Sequence, residues 1–444
     1  MNRNVLKCVL SACIGSFHFG FHLAELNAPK MVMQCQNDQQ LNCIQMTDFL
    51  YSLATAIFAI GGLGGTLLGS FMTYGRKLQL MISAVMFVLG SLIMATSSYI
   101  SLLILGRFIV GLGGGLALFN TPIYINEVSP LNMRGTLGTF SQLAITLGIF
   151  VASLLGYLLT EWRYILGFPV ATGVLQFLCI SVCPESPKWL FIANEANSES
   201  SKLVLQSLRP NGYDVINEMD SWHQKTETEQ ISLSAFFKDK VYFKLLVGLL
   251  AAHSGMHLTG INIVFFYSVS ILKDLFGSQA AFYSLMIALY NIFSTLISSV
   301  LIERVGRKKL ILISIAITSL SQLGLMLGMI FEIPALAFIF FIAIVTGFSV
   351  GLCVIPFILI GELFDGATVE YANSIANPVN WISNFLVSFG FIPLTFILHS
   401  YVFLIFVVYG VFAFFVMLRC IPETNGITPE ALHLKLREEQ KSKD

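Results

Sequence analysis

The sequence predicts an all-α membrane protein, twelve transmembrane helices arranged as two pseudo-symmetric six-helix bundles. Three observations lead there. Charged residues are only 11% of the 444, and the hydrophobic set is 56%, with a mean hydropathy of +0.78. Soluble domains carry about 25% charged residues, and no soluble core of this length would hide so much apolar surface. Apolar windows of the ~20 residues that cross a bilayer recur along the chain, separated by short polar breaks. The same short motifs then return in the second half at nearly constant distance.

The windows fall near 6–26, 49–72, 78–97, 101–124, 136–159 and 163–183, and again near 243–268, 280–302, 309–330, 335–360, 373–396 and 401–420. The first carries His18, His22 and Glu25 and has no small-residue cleavage site, so it reads as a span and not a cleaved leader. The one long polar stretch, 184–242, divides the windows into two groups of six, with short amphipathic helices expected around 198–208 and 232–240. Four regions follow: a bundle over 1–183, a linker over 184–242, a second bundle over 243–420 and a tail over 421–444.

Positive charge gathers in alternate loops: Arg3 and Lys7, Arg76 and Lys77, Arg134, then Lys188, Lys202 and Arg209, then Arg304, Arg307, Lys308 and Lys309. The intervening loops hold chiefly Lys30, Arg163 and Lys273. By the positive-inside rule both termini and the linker are expected in the cytoplasm. The formal net charge is +0, which offers no basic field for nucleic acid. Eight cysteines do not make a disulfide framework. Cys35 and Cys43 share the polar loop after the first window and would pair if it faces an oxidising space.

Gly75-Arg76-Lys77 returns as Gly306-Arg307-Lys308, Glu127 as Glu362, and Pro184-Glu185-Ser186 as Pro422-Glu423-Thr424, at offsets of 231, 235 and 238 residues. A duplicated six-helix unit is how rocking transporters are built, with substrate held at the repeat interface.

Phe19-Gly20-Phe21, Asn27-Ala28-Pro29, Gly106-Arg107-Phe108, Pro122-Ile123-Tyr124, Glu127-Val128-Ser129-Pro130, Pro184-Glu185-Ser186-Pro187-Lys188-Trp189, Gly260-Ile261-Asn262 and Glu303-Arg304-Val305-Gly306-Arg307-Lys308 extend along essentially the whole chain. In these motifs the sequence resembles the sugar porter branch of the major facilitator superfamily, and within it the facilitative hexose carriers. The wording around 22–29 is similar to fungal members on internal membranes. The resemblance implies gating by Glu127, Arg134, Arg307 and Glu362 at the cytoplasmic helix ends, and by Tyr267 at the outer side. Val369 stands where the pattern asks for an arginine seven residues after Glu362, as Arg134 follows Glu127, so a weaker inner gate is expected in the second half. The motif after the second span is also one residue short, and holds Thr73.

The resemblance also implies sugar ligands at Gln142, Asn262, Asn291 and Asn384. Neutral hydroxyls are met by amides and an aromatic face, so the residue types fit the cargo. Four other ligand places are changed: a glutamine pair reads Met256-His257, a glutamate reads Ser349, and a tryptophan reads Phe357. His257 retains hydrogen bonding and Phe357 retains a stacking face, whereas a thioether is a poor partner for a hydroxyl.

His18, His22 and Glu25 lie on one face of the first window, and His253 and His257 on one face of the seventh. Ionisable groups at membrane depth are costly and usually functional. In proton-coupled relatives the place of His22 holds an aspartate paired with the arginine matched by Arg107. His22, Glu25 and Arg107 are therefore a candidate proton or pH site. Passive cavity lining and a transition-metal path are the competing readings.

The leading expectation is transport of a sugar, a hexose first, by alternating access. A proton-coupled symporter and a non-transporting sugar sensor are the alternatives. No enzyme is expected, since zinc-protease, nucleophile-elbow and Walker patterns are missing. No cofactor or metal is expected, no nucleic acid, and a monomer in the bilayer of the plasma membrane or an endomembrane.

Overall fold

The computed structural model describes residues 2–35, 43–193, 198–210, 212–223 and 231–441. Parts of the linker (194–197, 211 and 224–230) and the last three residues of the tail lie outside the described residues. The chain forms two compact units, Met1–Thr226 and Glu227–Asp444. The first contains α1 (Arg3–Ala24), α2 (Lys30–Met33), α3 (Asp48–Phe71), α4 (Arg76–Thr96), α5 (Ile100–Val128), α6 (Arg134–Leu158) and α7 (Trp162–Ser181), then the short α8 (Pro187–Ala193), α9 (Ser198–Leu208) and α10 (Val215–His223). The second contains α11 (Leu233–Lys238), α12 (Lys240–Leu258), α13 (Ile261–Phe276), α14 (Ala280–Val305), α15 (Arg307–Ile330), α16 (Pro334–Gly347), α17 (Ile355–Leu363), α18 (Gly366–Leu398), α19 (Phe403–Cys420) and α20 (Pro429–Lys441).

Among the described residues, ten helical stretches are long and apolar enough to cross a bilayer. Two of them, Lys240–Ile302 and Thr368–Cys420, run to 63 and 53 residues. Each exceeds what one crossing needs, and tight turns at Gly277–Gln279 and His399–Val402 interrupt them. The ten stretches therefore make twelve crossings, as the sequence predicts. The two amphipathic helices expected in the linker are α9 and α11. Ser232 caps α11 by accepting from the Ala235 N–H.

Two crossings are broken. The seventh is split between α12 and α13 at Gly260, whose φ of +86° belongs to the left-handed region. A Cβ there would also come within 2.5 Å of Gln322 Nε2. The tenth is α16, a π-helical turn over Phe348–Leu352, and α17 beginning at Ile355-Pro356. Backbone groups freed in lipid must find partners inside the protein. Ser314 Oγ donates to Gly347 O at 2.6 Å and accepts from the Leu352 N–H at 2.9 Å, and Ser298 Oγ donates to Ser349 O.

The two units reach their packing differently. In the first, α3 lies against α5 along a glycine seam. A Cβ on Gly65 would fall 2.0 Å from Leu112 O, and one on Gly115 2.0 Å from Gly62 O. Small residues permit that backbone approach. Its counterpart in the second unit, α14, contains no glycine, and its buried face carries Ser284, Ser294, Thr295 and Ser298 instead.

The linker helices α8 to α10 pack with the first unit. Leu208 on α9 joins the buried cluster of Val5, Cys8, Tyr124 and Val128. The α11 and α20 helices pack with the second, where Phe236 and Leu432 are part of its core. Cys35 and Cys43 form a disulfide, which closes the question that their shared loop left open.

Gly115→Val should destabilise the first unit by ~1–3 kcal/mol or more, the usual cost of overpacking. Gly138→Ala, where a Cβ meets nothing within 4 Å, should be neutral. Thermal unfolding of the two variants in detergent checks this, and equal midpoints would refute the seam.

Candidate functional site

The second unit gathers the amides that the sequence singled out. His257, at the end of α12, sits beside the Gly260 break, and Asn262 opens α13 just beyond it. His257 Nδ1 lies 3.1 Å from Asn262 Oδ1, and His257 Nε2 lies 3.2 Å from Asn380 Oδ1 on α18. Asn262 Nδ2 donates to Asn384 Oδ1 at 2.8 Å. One turn further along α18, Ser388 Oγ donates to Asn384 O at 2.7 Å, and Tyr267 OH donates to Ser388 O at 2.6 Å. Tyr267 also stacks on Phe391. These side chains are buried. A neutral imidazole carries one N–H, so the pair of contacts at His257 needs either the doubly protonated ring or one amide turned to present its NH2.

Asn291, on α14, is buried, and its Oδ1 accepts from Ser349 Oγ at 3.5 Å. Ser349, in the π-turn, is the residue that replaces a glutamate. Phe357 on α17 is 47% exposed and meets His253 edge-on at 5.1 Å. His253 Nε2 lies 3.1 Å from Pro356 O, a carbonyl at the start of α17. Gln142, on α6 of the first unit, is half-buried. Its neighbour Ser141 bonds Ser16 on α1 at 2.8 Å.

Asn380 went unnoticed in the sequence. It touches His257, His253 O at 3.3 Å and Met256 Sδ at 3.2 Å. The signal was available, since Asn380 and Asn384 are i and i+4 and share a helix face. Met256 thus accepts from an amide within the protein, a partner other than the sugar hydroxyl for which its thioether is poorly suited.

In the first unit the ionisable cluster is closed. Arg107 Nη1 donates to Glu25 Oε1 at 2.7 Å and to His22 O at 2.8 Å. Its Nε and Nη2 reach Ala54 O and Thr55 O, both at 3.2 Å, and the guanidinium lies 4.8 Å from the Phe58 ring centre. His22 Nδ1 is 2.9 Å from Glu25 Oε1. His18, His22 and Phe87 stack, with His18 4.5 Å and His22 5.4 Å from Phe87. All three charged or imidazole partners, Arg107, Glu25 and His22, are 0% exposed. Among the described residues, no three His, Cys, Asp or Glu side chains are arranged to hold a metal ion.

The repeated motifs build the same corner twice. Glu185 Oε1 accepts from the Lys77 N–H at 3.0 Å, and Glu423 Oε1 from the Arg307 N–H at 2.9 Å. Lys77 Nζ donates to Ser181 O, and Lys308 Nζ to Leu418 O. Ser186 Oγ donates to Glu127, and Thr424 Oγ1 to Glu362. Burial raises the Glu185 carboxyl above its ordinary range, opposed in part by the backbone N–H groups of Lys77 and Ser186. Arg307 Nε reaches Glu362 Oε1 at 3.0 Å, whereas Arg76 Nε stands 3.6 Å from Glu127 Oε2. The Arg307–Glu362 pair forms with Val369 standing where the pattern asks for an arginine. Arg134 pairs with Glu218 on α10 at 3.6 Å, where Arg209 holds the same carboxylate at 2.7 Å. That link to the linker was invisible in the sequence, because it depends on where α10 folds back.

Residues 8–435 match the family described as sugar (and other) transporter. The chain is 32% identical over 444 residues to facilitated glucose transporter member 3 of solute carrier family 2 from Oryctolagus cuniculus, covering 94% of this chain and 90% of that one. It is 32% identical over 459 residues to member 4 from Homo sapiens, covering 96% and 89%. Among solved structures, the inward-open xylose transporter from E. coli superposes with a TM-score of 0.79 at 22% identity, covering 97% and 99%. A proton:xylose symporter bound to 6-bromo-6-deoxy-D-glucose does so with 0.76 at 22% identity, covering 97% and 98%.

Glu25→Leu should cost ~3–5 kcal/mol, because Arg107 would remain buried without its counter-charge. Adding Arg107→Met should return part of that loss. Unfolding measurements on the single and double variants decide it; a double variant no better than the single would mean that the ion pair is not what holds the cluster.

Proposed function

Because the chain belongs to the sugar (and other) transporter family, whose members carry sugars across a bilayer by alternating access, we propose that its cargo is a hexose. The observation that carries the reading is the connected set of His257, Asn262, Asn380 and Asn384. Each of these groups can exchange a bond among its neighbours for one to a sugar hydroxyl, so binding leaves few polar atoms unpaired. Asn291 and Phe357 complete the proposed binding set of the second unit, and Gln142 is the proposed sugar ligand of the first. Tyr267, tied to α18 through Ser388, is the proposed outer gate. Glu127, Arg134, Arg307 and Glu362 are the proposed inner-gate residues. Full-length similarity to carriers favours flux over sensing.

We place both termini and the linker in the cytoplasm. The Cys35–Cys43 disulfide supports this, since it sits in a loop of opposite side to the basic loops and bridges persist in oxidising spaces. The chain is proposed to work as a monomer. The His22–Glu25–Arg107 cluster favours a second reading, in which a proton accompanies the sugar or gates the carrier.

Uptake of labelled hexoses into proteoliposomes tests the first reading. Asn384→Ala should weaken the preferred hexose by ~1–3 kcal/mol, the cost of one unpaired polar group, without loss of membrane insertion. Normal affinity in that variant, or no flux of any hexose, would overturn the assignment.

Uptake measured against pH tests the second reading, and His22→Gln should flatten the curve. Superimposable curves would make His22 passive lining. A flattened curve with no proton current would identify a pH-gated uniporter.

A further inference from the structure

At one end of the first unit, α4, α6 and α7 leave a groove of about 570 Å³. Its apolar lining includes Leu155, Leu159, Gly167 and Phe168, and Arg163 stands among them. The groove opens where α4 and α6 end and α7 begins. Tyr99, Tyr157 and Tyr164, at the same helix ends, are 71%, 48% and 70% exposed. Tyrosines exposed at the ends of crossing helices mark the membrane–water interface.

Arg163 is the unusual member. Its Nη1 donates to Ala95 O and to Ser97 O, both at 2.8 Å, which ties down the end of α4. The guanidinium lies 4.4 Å from the Trp162 ring centre. Among the described residues no carboxylate pairs with it, and both carbonyl bonds use the same nitrogen. A half-buried cation in apolar surroundings is costly without a counter-charge. Nε and Nη2 remain to meet one.

We propose that this groove is a phospholipid site, in which an acyl chain lies along Leu155, Leu159 and Phe168 and the lipid phosphate accepts from Arg163 Nε and Nη2. The forked guanidinium suits a phosphate. The apolar lining suits a chain, and the level of the tyrosines suits the boundary between the two. A soluble anion would use the arginine and leave the lining idle.

Two substitutions separate the parts of the site. Arg163→Gln removes the cation. Gly167→Leu fills the groove and leaves Arg163 with its α4 bonds, because a Cβ at Gly167 has only ordinary contact, 3.6 Å, with Ala95 Cβ. Native mass spectrometry of the full chain would be run against phosphatidylethanolamine and against a diacylglycerol of the same chains, with unfolding midpoints as the control for folding. Wild type should hold one phosphatidylethanolamine about tenfold more tightly than the diacylglycerol, as a charge-assisted bond implies. Arg163→Gln should erase that preference, and Gly167→Leu should lower both lipids. The proposal fails if wild type binds both lipids equally, if folded Gly167→Leu keeps wild-type occupancy, or if inorganic phosphate binds as tightly as the phospholipid.

Discussion

The first unit depends on one guanidinium. Arg107 has no exposure and cannot give up its proton, so burying it demands a full set of acceptors. It finds them on two other helices: Glu25 and the His22 carbonyl at the end of α1, and the Ala54 and Thr55 carbonyls within α3. Any shift of α1 or α3 against α5 breaks a charged bond in a medium that offers no replacement. The glycine seam between α3 and α5 follows from the same need, because the carbonyls of α3 must come close enough for an arginine on α5 to reach them.

Among its described residues the second unit has no such buried guanidinium, and its α14 carries no such seam. Its interior is tied by neutral groups, and its crossings are broken where the first unit's are continuous. Gly260 and the π-turn at Phe348–Leu352 expose backbone that Ser314, Ser298 and Gln322 then satisfy. Those breaks set His257 at the end of α12, Asn262 at the start of α13 and Ser349 in the π-turn, beside Asn380, Asn384 and Asn291. One half of the duplicated plan thus holds charge in a closed lock. The other holds a connected set of neutral hydrogen bonds, the set proposed above to meet a sugar.

What the two units share is the corner at the basic helix ends. A glutamate accepts the first backbone N–H groups of α4 or α15, a lysine covers the last carbonyls of α7 or α19, and a hydroxyl holds the second glutamate. These roles need specific residue types at specific helix termini, and for that reason they read as motifs in both halves of the sequence.

The sequence by itself determined the class of the protein, the number and order of its crossings, its duplication and its polar corners. Each of these is written in local composition or in residues whose chemistry admits few substitutes. The tertiary structure alone decided who meets whom. Arg134 meets Glu218 because α10 folds back onto the first unit, and Met256 meets Asn380 because α18 packs on α12. Cys35 found Cys43 across a loop whose composition allowed either outcome. Asn380 sat in plain view at a readable spacing, but an amide on a helix is as often packing as site. Only the neighbour it touches, supplied by a helix more than a hundred residues away, separates the two, and pairing over that distance leaves no trace in local pattern.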